Sequence, residues 1–140
     1  MAEMENMKYR HELEFVVRDY ECDLQGVVNN ANFLHYMEHA RHQWMESRGI
    51  DFAALHGQGI DLVVARIEID YKHPLRSRDR LIVRSAVRRE GALRIICAQD
   101  IYRIPDEKLI AQSQVVVVML QNGKPVPPTA LVEKMEQVPQ

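Results

Sequence analysis

One long stretch of this chain repeats its apolar residues at helical spacing, and nearly everything after it alternates. Phe33, Tyr36, Met37, Ala40 and Trp44 recur at steps of three and four, the stripe of a helix that buries one face. The spacing predicts a helix from Asn32 to Ser47, closed by Gly49 in the left-handed conformation that glycine adopts freely. Ahead of it, Leu13, Phe15 and Val17 alternate within His11 to Arg18, as in a half-buried strand. After a looser segment, Asp51 to Gly59, the alternation returns over Ile60 to Tyr71. Three further strands are predicted at about Arg80 to Arg89, Leu93 to Ile104 and Leu109 to Leu120, separated by Glu90-Gly91 and Pro105-Asp106. The last holds the run Val115 to Val118, apolar on both faces, so it belongs at a central or doubly covered position. Strand, long helix, then four antiparallel strands describe an α+β domain in which a sheet of about five strands wraps around one helix.

Size and charge narrow the function classes. With 140 residues and 46% hydrophobic content, residues 1–140 are expected to form a single domain, since two halves would each have a marginal core. Pro125, Pro127 and Pro128 mark a short, weakly helical tail over about 125–140. A net charge of −2 gives no electrostatic reason to expect nucleic acid or anionic membrane as a partner. No run approaches the ~18 apolar residues that span a bilayer, and the polar start Met1 to Asn6 has no signal-peptide core. A cytoplasmic protein is expected. There Cys22 and Cys97 would stay thiols, and Cys97 reads as a small core residue.

The chemistry concentrates just before the helix, in Asp23-Leu-Gln-Gly26-Val27-Val-Asn29-Asn30. An acidic side chain, a glycine for a tight turn and asparagines that can cap a helix place a carboxylate beside unpaired backbone N–H groups. A carboxylate activates water or attacks directly. The first-turn N–H groups and the positive helix end stabilise charge developing on a carbonyl oxygen.

The segment from Asp23 through Gly26-Val27-Val28 to Glu38-His-Ala-Arg41 resembles the signature of hot-dog-fold acyl-CoA thioesterases of the 4-hydroxybenzoyl-CoA type. Looser similarity extends through Asp70-Tyr71, Pro74 and Asp79. The resemblance implies the hot-dog fold and thioester hydrolysis without a cofactor, coenzyme A or acyl carrier protein being part of the substrate. It implies that Asp23 is the catalytic carboxylate, as nucleophile or general base, on the turn made by Gly26 and Val27. It also implies that the Asn30 backbone N–H polarises the carbonyl. Asn29, Phe33, Glu38, Arg88 and Arg89 are the expected substrate-binding residues, the two arginines because a guanidinium pairs with phosphate oxygens. Many relatives carry His or Tyr near Asn30, whose amide here can orient water or substrate without moving a proton.

His35-Tyr-Met-Glu38-His39 matches the H-x-x-E-H pattern of inverted zinc peptidases. His35, His39 and His42 lie opposite the apolar stripe, on a polar face, and the chain offers no second long helix for a third ligand, so no metal is expected. Glu38 and Arg41 are spaced for a helical ion pair. Arg76, Arg78 and Arg80 are further candidates for phosphate, against the alternative of a solvated edge. Two other functions compete: a hot-dog hydratase or dehydratase, disfavoured because the Asp23 segment holds no histidine before His35, and a noncatalytic acyl-binding module. A sheet on one helix leaves an open edge, so a homodimer or homotetramer is expected, with the site between subunits.

Overall fold

The computed structural model describes residues 9–137; the stretch Met1 to Asn6 and the last three residues of the tail lie outside that range. The elements are β1 (His11–Val16), a 3₁₀ turn (Asp19–Glu21), α1 (Asn30–Ser47), α2 (Phe52–Gly57), β2 (Ile60–Tyr71), β3 (Arg80–Glu90), β4 (Arg94–Ile104), β5 (Lys108–Gln121), the short β6 (Lys124–Pro125) and α3 (Thr129–Met135). The main strands pair antiparallel in the order β1-β3-β4-β5-β2, with β6 added to β5. Both edges therefore come from the strands that flank the helix in sequence.

The stripe does what its spacing requires. Phe33, Tyr36, Met37, Ala40 and Trp44 are all buried against a sheet face built from Val83, Ile95, Cys97, Ile101, Val115 and Val117. Gly49 ends α1 at φ 77°, where the Ile50 N–H reaches the Met45 carbonyl at 3.0 Å and satisfies an orphan acceptor. α1 starts two residues earlier than its apolar stripe suggests, because Asn29 is the cap: its Oδ1 accepts the Ala31 N–H at 2.8 Å.

Two expectations need correction. Asp51 to Gly59 is not a loose segment; Asp51 caps α2 by accepting the Ala54 N–H at 3.1 Å, and six residues are too few to show periodicity. The valines of β5 lie, as expected of a central strand, between β4 and β2, but the strand is not doubly covered: Val115 and Val117 are buried against α1, whereas Val116 and Val118 are half-buried on the outer face.

On the inner face, cross-strand register aligns His11, Ser85, Gln99 and Ser113 in one row under the helix. Gln99 is the hub. Its amide donates to the Met37 carbonyl at 3.0 Å and to Ser85 Oγ at 3.1 Å, and its Oε1 accepts from Arg41 at 2.9 Å. At the far end of α1, Trp44 Nε1 donates to the Met135 carbonyl at 3.2 Å and so anchors α3.

β2 is the exposed edge. Val63, Val64, Ile67 and Tyr71 all stand open, and a bulge between Val64 and Arg66 leaves Ala65 without a partner in β5. Among the described residues no helix is long and apolar enough to cross a membrane.

Candidate active site

The turn that carries Asp23 is closed by its own backbone. Asp23 N–H donates to the Val27 carbonyl at 2.9 Å, Gly26 N–H donates to the Asp23 carbonyl at 3.0 Å, and Gly26 sits at φ 77°. A Cβ at Gly26 would meet nothing within 4 Å, so the turn needs glycine for its backbone angle and not for space. Asp23 Oδ1 accepts the Gln25 N–H at 2.9 Å and, at the long distance of 3.4 Å, the Val27 N–H. Oδ2 has no donor among the described residues. The carboxylate is exposed, held at one oxygen and open at the other.

Glu21 connects this turn to the helix. Its carbonyl accepts the Asn29 N–H at 3.0 Å and Asn32 Nδ2 at 2.8 Å, while Cys22 and Val28 bridge across the base of the turn. Asn30 is the first residue of α1. Its N–H finds no acceptor among the described residues, the ordinary condition of a helix start. Asn29 caps the helix through Oδ1. Phe33 is buried, edge-on to Tyr71 with ring centroids 5.4 Å apart, and the Tyr71 hydroxyl lies 3.5 Å from the Asn30 carbonyl. Tyr71 at the end of β2 thus marks the helix start, a placement that the alternation of β2 could not reveal.

Two clefts flank α1. The one beside β1, about 680 Å³, is lined by Phe15, Arg18, Glu21, His35, Tyr36 and His39. The Tyr36 hydroxyl donates to Glu21 Oε1 at 2.9 Å, and burial together with that bond raises its pKa above the ordinary tyrosine value. The cleft beside β2, about 520 Å³, includes Glu38, Arg41, Met45, Leu62, Val64 and Val117. Asp23 lines neither cleft.

Several expected residues are placed elsewhere. Arg88 and Arg89 do not approach the Asp23 turn: β3 meets that region at its other end, where the Arg78 N–H donates to the Val17 carbonyl, and eight residues of strand carry Arg88 about 26 Å away. Arg89 is bound locally, to Thr129 Oγ1 at 3.0 Å and the Ala92 carbonyl at 2.8 Å. Arg76 is the arginine beside the turn, through its bridge to Val27. Glu38 and Arg41 form no ion pair among the described residues. Arg41 instead turns inward and is only 6% exposed, and burial lowers its pKa.

His35, His39 and His42 are exposed, and the described residues contain no group of three or more His, Cys, Asp or Glu arranged to hold a metal ion. Cys97 is fully buried, and the loss of solvent pushes its thiol up to about 12, the inert state of a core cysteine.

Comparison with known proteins agrees with this architecture. Residues 17–135 match the family model described as the thioesterase-like superfamily. An acyl-acyl carrier protein thioesterase of Arabidopsis thaliana chloroplasts, ATL3, is 36% identical over 112 residues, covering 80% of this chain and 59% of the relative. The chain therefore spans about three fifths of the length of that relative and of its companion ATL2. The long-chain acyl-CoA thioesterase FadM of Escherichia coli is 29% identical over 74% of this chain and 78% of its own. Among solved structures, a Thermus thermophilus thioesterase complexed with coenzyme A and zinc superposes with TM-score 0.79 at 29% identity, covering 93% of this chain and all of that one. A 1,4-dihydroxy-2-naphthoyl-CoA thioesterase from Synechocystis shares the fold, with TM-score 0.82 at 24% identity over 89% and 93% of the two chains. Helix start, wrapped sheet and family match converge: the chain belongs to the thioesterase-like superfamily and has its hot-dog fold.

Proposed function

We propose that this chain hydrolyses an acyl thioester carried by coenzyme A or acyl carrier protein, using Asp23 as the carboxylate and the start of α1 as the oxyanion site. One observation carries the reading: among the described residues Asp23 Oδ2 and the Asn30 N–H are both without partners, on a turn and a helix start tied together through Glu21. Family membership and the names of the relatives support it.

The reaction demands little else. A thiol with a pKa of roughly 8.5, against roughly 16 for water, leaves as thiolate without a strong general acid. Water adds its oxygen to the acyl carbon as its proton passes to Oδ2, the carbon–sulfur bond breaks, and the thiolate takes up a proton to give acid and thiol. In the alternative order the carboxylate attacks first, expels thiolate and forms a mixed anhydride that water then opens. In either order the helix start receives the negative charge on the carbonyl oxygen.

The open edge of β2 favours a homodimer, or a tetramer built from one. A second copy added there would cover Val63, Val64, Ile67 and Tyr71 and roof the cleft beside β2.

The test is thiol release from acyl thioesters by wild type and Asp23→Asn. Loss of the carboxylate is expected to lower kcat by about 10²- to 10⁴-fold with KM little changed. Equal release by the two proteins would show that Asp23 is not the catalytic group.

A further inference from the structure

Arg41 is a buried cation with unused donors. A guanidinium carries five N–H groups. Here Nη1 donates to Gln99 Oε1 at 2.9 Å, and Nε and Nη2 have no acceptor among the described residues. The side chain is only 6% exposed, yet it lines the 520 Å³ cleft beside β2 together with Glu38, His42, Met45, Leu62 and Val64. Glu38, one helical turn before it, lines the same cleft and forms no ion pair with it among the described residues. The open N–H groups of the guanidinium face this space, where an acceptor on a bound molecule can meet them.

The cleft lies on a line from the helix start. β2 runs antiparallel to α1: Tyr71 touches Phe33 and Asn30 at one end, and Leu62 and Val64 face Arg41 at the other. Between them Ile69 and Ile67 continue the inward face of β2. Eleven residues of helix separate Asn30 from Arg41, a rise of about 16 Å. An extended alkyl chain advances about 1.25 Å per carbon at ordinary bond lengths and angles, so that span corresponds to roughly a dozen carbons.

We infer that the groove between α1 and β2 takes the acyl chain, and that Arg41 binds an oxygen acceptor at its far end, a terminal carboxylate best of all. This rests on the thioesterase reading, since the helix start sets where the carbonyl lies. The charge argument ranks the substrates: carboxylate pairs with the open Nε and Nη2 N–H groups together, hydroxyl accepts one bond, and a methyl end offers the cation no acceptor.

The experiment compares kcat/KM for 12-carbon acyl thioesters ending in carboxylate, hydroxyl or methyl, with a shorter carboxylate-ended chain as control. Wild type is expected to favour the 12-carbon carboxylate over its methyl counterpart by about tenfold or more, mainly through KM, and the short carboxylate is expected to gain nothing. Arg41→Met should abolish the preference while leaving the methyl-ended substrate hydrolysed, and Arg41→Lys should restore part of it. The wild-type series stands even if a variant fails to fold. Thiol release without any preference for the distal oxygen overturns this inference and spares the thioesterase reading; no thiol release from any substrate overturns the thioesterase reading. Weakened subunit association in Arg41→Met, with no oxygen preference in wild type, would assign the guanidinium to the subunit contact and also overturn the inference.

Discussion

Gln99→Leu should loosen the helix from the sheet by an amount that the hydrogen bonds around Gln99 allow to be worked out. Gln99 is fully buried and makes three bonds, to Arg41, Ser85 and the Met37 carbonyl. The two neutral bonds contribute about 1 kcal/mol each and the bond to the guanidinium about 1.5–3 kcal/mol. Leucine recovers about 1 kcal/mol by placing apolar carbon in an apolar surround, so the net loss is about 3 kcal/mol. For a domain of this size that corresponds to a fall in Tm of about 10 °C. Gln99→Glu is the companion variant. It places a carboxylate against Arg41 and is expected to recover part of the loss at neutral pH, because a buried charge is stabilised most by an opposite one. Urea unfolding followed by the fluorescence of Trp44, the one tryptophan and itself fully buried, measures both at one protein concentration, since association shifts apparent stability. A loss below about 1 kcal/mol for Gln99→Leu, within the range of an ordinary surface change, would refute the view that Gln99 ties α1 to the sheet.

Other perturbations probe separate parts of the molecule. Asn29→Ala should cost about 1 kcal/mol through loss of the α1 cap, and Asn29→Asp much less, read by the same unfolding curves. His11 is half-buried, with Nδ1 unpartnered among the described residues, and burial followed by nearby Arg48 lowers its pKa in the folded state. The unfolded chain therefore binds a proton first as pH falls through about 6.5, so this contribution to stability is complete above that pH and lost below it; His11→Phe should flatten the slope between pH 7.5 and 5.5. Val64→Lys, on the open edge, should leave the fold intact but shift light-scattering mass toward the monomer and depress thiol release.

Much of the fold was legible because its periods are clean. The stripe from Phe33 to Trp44 has one face to bury and the structure buries it; the alternation over Ile60 to Tyr71 located β2, but no residue of that strand is buried and the bulge between Val64 and Arg66 breaks its phase, so the half-buried face expected there is open. The order of strands was not legible, since β1 pairs with β3 and β2 with β5 across long intervals that no local pattern records. Asp23 and the helix start could be found because turn chemistry and capping are local. Arg41 could not, because whether a flanking arginine reaches solvent or Gln99 depends on what the sheet presents 58 residues later. The position of Arg88 and Arg89 was not legible for the same reason: closeness to a hairpin says nothing about which end of the sheet the hairpin occupies.

The irregularity at Ala65 has a consequence for how two copies can meet. It divides the free rim of the sheet into two straight runs of backbone, so an incoming strand can zip along one run without matching the other. Were two copies to pair along that rim, only a few alignments would satisfy both halves of a symmetric pair, and each would set its own spacing between the neighbouring helices. Deleting Ala65 would then change that spacing, read as a change in the mass or in the stability of the pair.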